Sequence, residues 1–214
     1  MEGLIGKKIG MMQVYDANSV RRDVTVLEMG PCVVIQRKTG VKDGYDAVQV
    51  GYCDKKESRT IKPDLARFKK AGTAPKQFLK EFKVDPKNEI KAGDSVNATI
   101  FEGVKFVDIT GITKGRGFQG VVKRYRMRGG PMTHGGHSKR RVGSIGQNSY
   151  PARVLKGKRM SGHMGVDQVT TQNIKVVELR GQENLLLVGG AVPGFNGALV
   201  IVRKALKKKA GKAQ

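Results

Sequence analysis

The stretch GGPMTHGGHSKRRVGSIGQ (129–147) is the first place in the chain where chemistry suggests itself. His134 and His137 stand in HxxH spacing, His163 follows downstream, and glycines surround a Lys–Arg–Arg run. Three uses compete for such a segment: a metal site, a phosphate-cradling catalytic loop, or a stretch that orders only against a polyanion. Zinc ligands usually come as close doublets of Cys, His or carboxylate. Here Cys32 and Cys53 are 21 positions apart and far upstream. Lys139, Arg140 and Arg141 set a field that repels a cation, and no carboxylate is near to orient an imidazole.

Just upstream, ITKGRGFQGVVKR places Gly115, Gly117 and Gly120 in GxGxxG spacing after a strand-like run. A dinucleotide-binding turn also needs an acid ~20 positions on to hold the ribose. That neighbourhood is Ser138, Lys139, Arg140 and Arg141, and the next acid is Asp167. General acid–base catalysis needs a titratable pair with tuned pKa values. The segment offers only histidines and hydroxyls. No catalytic residue, metal ligand or cofactor is therefore assigned, and a polyanion-bound segment is the surviving use.

The charge distribution points the same way. In 214 residues, 41 Lys and Arg face 18 Asp and Glu, a net charge of +23. Self-repulsion makes such an excess a cost to a compact protein, and a polyanionic partner is its usual reason. From Ile109 to Val166 there are 13 basic residues and no acid, and Arg203–Gln214 adds six basics and no acid. The rest holds 22 basics against 18 acids, the balance of an ordinary globular domain. Composition thus separates a folded part (1–108 with 167–202), an inserted basic extension (109–166) and a basic C-terminal tail (203–214).

The elements that must position the extension read mainly as short β-strands: 21–29, 31–38, 45–52, 104–111, 173–180, 184–190 and 198–204, rich in β-branched residues and bounded by turn formers. Asp43-Gly44 reads as a hairpin turn. Only 63–71 and 118–126 read as helices, both short. Many short strands argue for a barrel or sandwich, and strands on both sides of the extension predict that both flanks build one sheet system. Cys32 and Cys53 lie in strand-like sequence and read as buried free thiols of a reducing cytosol. MEGLIGKKIGMMQVY has neither a long apolar core nor a small-residue cleavage site, so no secretory signal is expected. No run approaches the ~18 apolar residues of a membrane helix, and LLLVGGAV reads as a buried strand.

A glycine-rich, acid-free segment cannot bury enough apolar surface to offset its chain entropy alone. Against RNA, Lys and Arg neutralise phosphates and release counterions. Phe118, Tyr125 and Tyr150 offer rings for unpaired bases, or, for the first two, inward faces of a short helix. Duplex DNA is the rival polyanion, and a nucleoid-type DNA-binding protein the alternative function. No zinc finger, basic zipper or convincing helix-turn-helix supports it.

Several long motifs also carry a family resemblance. GLIGKKIGMMQVY (3–15), GPCVVIQRKT (30–39), DGYDAVQVGY (43–52), GITKGRGFQGVVKR (111–124), GGPMTHG (129–135), RRVGSIGQ (140–147), PARVLKGKRMSGHMG (151–165) and NLLLVGGAVPG (184–194) occur in this order. Over nearly its whole length the chain resembles the bacterial large-subunit ribosomal protein L-three family. The resemblance implies a translation-factor-like β-barrel with a long, largely irregular basic extension between its strands. It also implies a non-enzymatic cytoplasmic constituent of the large ribosomal subunit, active in early assembly. Its partners would be 23S ribosomal RNA, bound near its 3′ end, and neighbouring large-subunit proteins, with no membrane and no small-molecule substrate. The extension would run towards the peptidyl transferase centre, with Gly143, Ser144, Ile145, Gly146, Gln147, Asn148 and Ser149 at its tip. The residues expected to contact rRNA are Lys7, Lys8, Lys114, Arg116, Lys123, Arg124, Arg126, Arg128, His134, His137, Lys139, Arg140, Arg141, Gln147, Arg153, Lys156, Lys158, Arg159 and His163. Many bacterial members carry a methylatable glutamine where this chain has Ser149, so that modification is not carried over. Residues 53–100 match least well and are expected to form a variable peripheral part.

Overall fold

Most of the β-branched runs become strands, and they close on themselves. The structure, a computed structural model, describes residues 1–16, 19–85 and 90–208. In chain order it contains β1 (Gly3–Tyr15), β2 (Arg21–Met29), β3 (Cys32–Lys38), the one-turn helix α1 (Gly40–Asp43), β4 (Ala47–Asp54), α2 (Lys62–Lys70), β5 (Lys76–Lys83), β6 (Ser95–Val96), β7 (Phe106–Ile112), β8 (Phe118–Gln119), α3 (Val121–Tyr125), β9 (Gly162–His163), β10 (Gln168–Arg180), β11 (Leu185–Gly189) and β12 (Leu199–Lys204). Two compact units result: Met1–Ile112 with Gln168–Gln214, and Thr113–Asp167.

In the first unit six strands form a closed antiparallel barrel in the order β1-β12-β7-β10-β11-β2. The chain is mainly β and barrel-forming, as its strand pattern predicts. Leu4, Leu27, Val107, Ile109, Leu186, Val188, Val200 and Val202 are fully buried in one core cluster. Each such side chain contributes roughly 1.5–3 kcal/mol relative to exposure. Closure also needs close backbone approach. A Cβ on Gly6 would lie 2.6 Å from the Glu28 carbonyl oxygen, and one on Gly3 would strike the Val202 carbonyl. A second sheet, β5-β4-β3-β6, packs into the same core through Val34, Val48, Val50 and Phe82.

Several expectations change here. Residues 53–100 are not merely peripheral, since Phe82, Val84 and Ala98 belong to the core cluster. The β3–β4 hairpin exists, but Asp43-Gly44 is not its two-residue turn. Residues 40–43 form a helical turn instead, and Gly44 ends it at φ 81°, its N–H donating to the Gly40 carbonyl. Cys32 is a buried free thiol donating to the Ile5 carbonyl at 3.4 Å, whereas Cys53 is only half-buried. Burial pushes the Cys32 thiol up to about 12. Arg203 and Lys204, grouped by charge with the tail, instead complete β12, pairing with Gly3 and Val107 respectively. Residues 209–214 of that tail lie outside the described residues.

The strands that matter for the extension are β7 and β10. They are direct antiparallel neighbours, with Ile112 opposite Gln168 and Gly111 opposite Val169. Both flanks therefore build one sheet system, and residues 109–112 belong to the barrel. No helix among the described residues is long and apolar enough to cross a membrane.

Candidate nucleic-acid interface

The unit Thr113–Asp167 is built from backbone. At its base the two legs are zipped together. Thr113 N–H donates to Asp167 O (2.9 Å), Val166 to Thr113 (3.2 Å), Arg116 to Met164 (2.9 Å) and Met164 to Gly117 (3.0 Å). The two-stranded ladder β8–β9 continues this, with Phe118 opposite His163 and Gln119 opposite Gly162. Next comes the five-residue α3, whose Val121 is the only buried side chain of the unit larger than glycine's. Arg124 straps this turn to the returning leg, its Nη1 donating to the Met160 carbonyl at 2.8 Å. The Arg124 and Arg159 guanidiniums lie 5.0 and 5.6 Å from the Tyr125 ring centroid. Tyr125 thus gathers two cations, while Phe118 and Tyr150 stand 75% and 87% exposed.

The expected helix 118–126 shortens because Gly120 caps α3 and Phe118-Gln119 are drawn into the ladder. The same arrangement disposes of GxGxxG as a nucleotide turn. A strand pair, not a helix N-terminus, occupies the space between Gly117 and Gly120, and every sheet here is antiparallel.

Glycine serves two purposes in the unit. A Cβ on Gly136 would lie 2.7 Å from the Pro131 carbonyl oxygen, and one on Gly129 or Gly165 would strike the carbonyl of Lys139 or Lys114. These glycines are consumed by the unit's own folding. A methyl group added at Gly117, Gly135, Gly143 or Gly157 would meet no atom within 4 Å, so the backbone there stays open to a partner.

Of the 13 basic residues, only Arg124 is part-buried. Lys114, Arg116, Lys123, Arg126, Arg128, Lys139, Arg140, Arg141, Arg153, Lys156, Lys158 and Arg159 are exposed, as are His134, His137 and His163. No group of three metal-ligating side chains occurs among the described residues. The tip residues 143–149 are all exposed. Ser144 Oγ donates to the Gly146 carbonyl (2.9 Å), and a shallow hollow runs between residues 144–148 and 152–154.

Lys7 and Lys8 belong to the barrel unit, and the structure separates them. Lys7 is exposed. Lys8 is 6% exposed, its Nζ donating to the carbonyls of Val192 (2.8 Å) and Gly194 (3.3 Å). It is a clamp on the 192–194 loop, which removes it from the phosphate contacts expected of it. The barrel unit also holds cations that sequence reading passes over. Arg37, Lys42, Arg67 and Lys70 line one hollow beside α2. They are scattered over 34 positions of mixed-charge sequence, so no local run signals them.

The geometry defines a class of protein: a closed antiparallel barrel with a cationic insertion, almost without buried side chains, between two adjacent strands. Comparison with known proteins narrows the class. The family model described as Ribosomal protein L3 matches residues 53–185. The chain is 51% identical over 213 residues to the large ribosomal subunit protein uL3 of Deinococcus radiodurans, covering 99% of each chain. It is 49% identical over 209 residues to the uL3 of Brachyspira hyodysenteriae (98% of this chain, 96% of the relative). To that of Alkaliphilus metalliredigens it is 47% identical over 208 residues (97% and 99%). The chain belongs to the ribosomal protein L3 family.

Proposed function

We propose that this protein is a structural, non-enzymatic constituent of the cytoplasmic large ribosomal subunit. It binds 23S rRNA near its 3′ end, supports early subunit assembly, and meets neighbouring subunit proteins. Thr113–Asp167 is the rRNA-penetrating extension, and its tip at 143–149 is directed towards the peptidyl transferase centre. The observation that carries this reading is the pairing of one buried side chain, Val121, with twelve exposed Lys and Arg in that unit. Ordering a residue's backbone costs roughly 1–2 kcal/mol, and one buried valine recovers about that of a single residue. Internal backbone hydrogen bonds supply part of the remainder, and phosphate contacts with counterion release supply the rest.

Within the extension, Lys139, Arg140 and Arg141 clamp phosphates beside the glycine-rich 129–136 loop. His134, His137 and His163 donate to phosphate or stack on bases, and Phe118 and Tyr150 receive unpaired bases. The barrel stays at the RNA surface. Sedimentation of a lysate at low and high salt tests the reading: the protein should travel with large subunits. A protein that stays at the top of a low-salt gradient sinks it. In a competition assay the protein should prefer folded ribosomal RNA to duplex DNA; equal affinity would favour the nucleoid alternative.

A further inference from the structure

We propose that the outer edge of β1, from Ile9 to Tyr15, is a docking edge on which an extended segment of another protein of the particle adds as a further strand. The proposal rests on the ribosomal reading for its setting and on the barrel for its argument. β1 is longer than the strand beside it. β12 pairs with it only from Gly3 to Lys7, and Lys8 N–H donates onward to Ala198 O (2.9 Å). From Ile9 onward, among the described residues, β1 has a ladder partner on the β2 side only.

The register shows which groups face outward. Gly190 N–H donates to Asp23 O (2.9 Å), so that carbonyl faces away from β1. Gln13 is opposite Asp23, in a pair whose backbone groups point outward on both strands. By alternation Met11 and Tyr15 likewise present N–H and C=O to the open side. These are the groups a strand-adding partner uses.

Two further observations select a protein as the occupant. First, the edge is unguarded. Free edges are normally blunted by Lys, Pro or other charges. The edge strand β5 follows that rule with Lys76, Lys80 and Lys83. Ile9–Tyr15 holds no charged residue and no proline, and instead exposes Ile9, Met11, Met12 and Tyr15, the last at 68%. Second, the ribbon is neutral. Its charges cancel in the ion pairs Arg22–Asp16 and Arg21–Asp23 (3.7 Å), and residues 9–23 contain no other charged side chain. On a chain of net +23, a neutral apolar patch offers little to RNA, and a second copy of so basic a chain is repelled.

The test places p-benzoylphenylalanine at Tyr15 and irradiates large subunits purified from cells expressing that variant. Adducts to a peptide of another protein are expected. Adducts to nucleotides alone, adducts within this chain, or no adduct would overturn the proposal. Absence of the wild-type protein from large subunits would sink the ribosomal reading itself, and this proposal with it. A second variant checks the strand geometry. Gln13→Pro deletes an outward N–H, a position at which an edge strand tolerates proline. In that background the Tyr15 adduct should fall about five-fold, the effect of one net backbone hydrogen bond. The free protein should keep its melting temperature, and an undiminished adduct would rule out strand addition.

Discussion

The barrel and the arm are held by opposite means. The barrel unit buries one cluster of Leu, Val, Ile, Met and Phe side chains, and it holds 17 of the 18 Asp and Glu. Between Thr113 and Asp167 it buries Val121, exposes almost all its cations, and relies on main-chain hydrogen bonds and tight glycine contacts. One chain thus joins a unit with a large apolar core to a unit with almost none. The same substitution type should therefore have different consequences in each.

The largest expected effect is on barrel stability. Leu27→Ala should cost about 2–5 kcal/mol, read by denaturant unfolding of the free protein. Val121→Ala in the arm should leave that transition where it is. A shared, equal loss would show that the two units unfold as one. Next in size is RNA binding. Arg140→Glu with Arg141→Glu should lower affinity, and each lost phosphate contact should reduce the log–log salt slope by ~0.7–0.9. Barrel melting should stay unchanged; a shifted transition with an intact slope would reverse the roles assigned to the two regions.

A smaller effect separates two adjacent lysines. Lys8→Met should destabilise the barrel by about 1–3 kcal/mol, because two loop carbonyls lose their donor, without moving the salt slope. Lys7→Ala should do the reverse. The last effect vanishes near neutral pH and emerges only in alkali: burial raises the Cys32 pKa from 9.0 to about 12. Above the lower value the unfolded chain releases a proton that the folded chain retains, so stability should decline as pH rises through this window. Cys32→Ser should flatten that decline. Alkylation at neutral pH should label half-buried Cys53 before Cys32.

The strands with β-branched repeats are legible in the sequence, several to within a residue or two. β2, β11 and β12 bury alternate or consecutive Val and Leu, which is the signal that periodicity detects. β1 and β5 are not legible. GLIGKKIGMMQVY owes its strand to Gly3 and Gly6, which admit neighbouring backbone, and a glycine in a sequence argues against a strand until its neighbour is known. KQFLKEFK carries four charges because it is an edge, and only pairing with β4 makes it a strand. For the candidate interface, the charge map locates the arm because charge needs no fold to be counted. Sequence reading misplaces Lys8 and misses the hollow of Arg37, Lys42, Arg67 and Lys70 for the complementary reason: burial and convergence exist only after folding.

The pairing of Ile112 with Gln168 has a consequence for how such a protein can change over time. The arm's two ends are one strand spacing apart, roughly 4.8 Å, so the barrel meets the whole insertion as a hairpin loop. Closing a flexible loop of twice the length costs only about 0.6 kcal/mol more. Residues can be added to or removed from the arm with little penalty to the sheet that bears it. Arm length is then free to drift, while the buried residues of the barrel answer to their own packing.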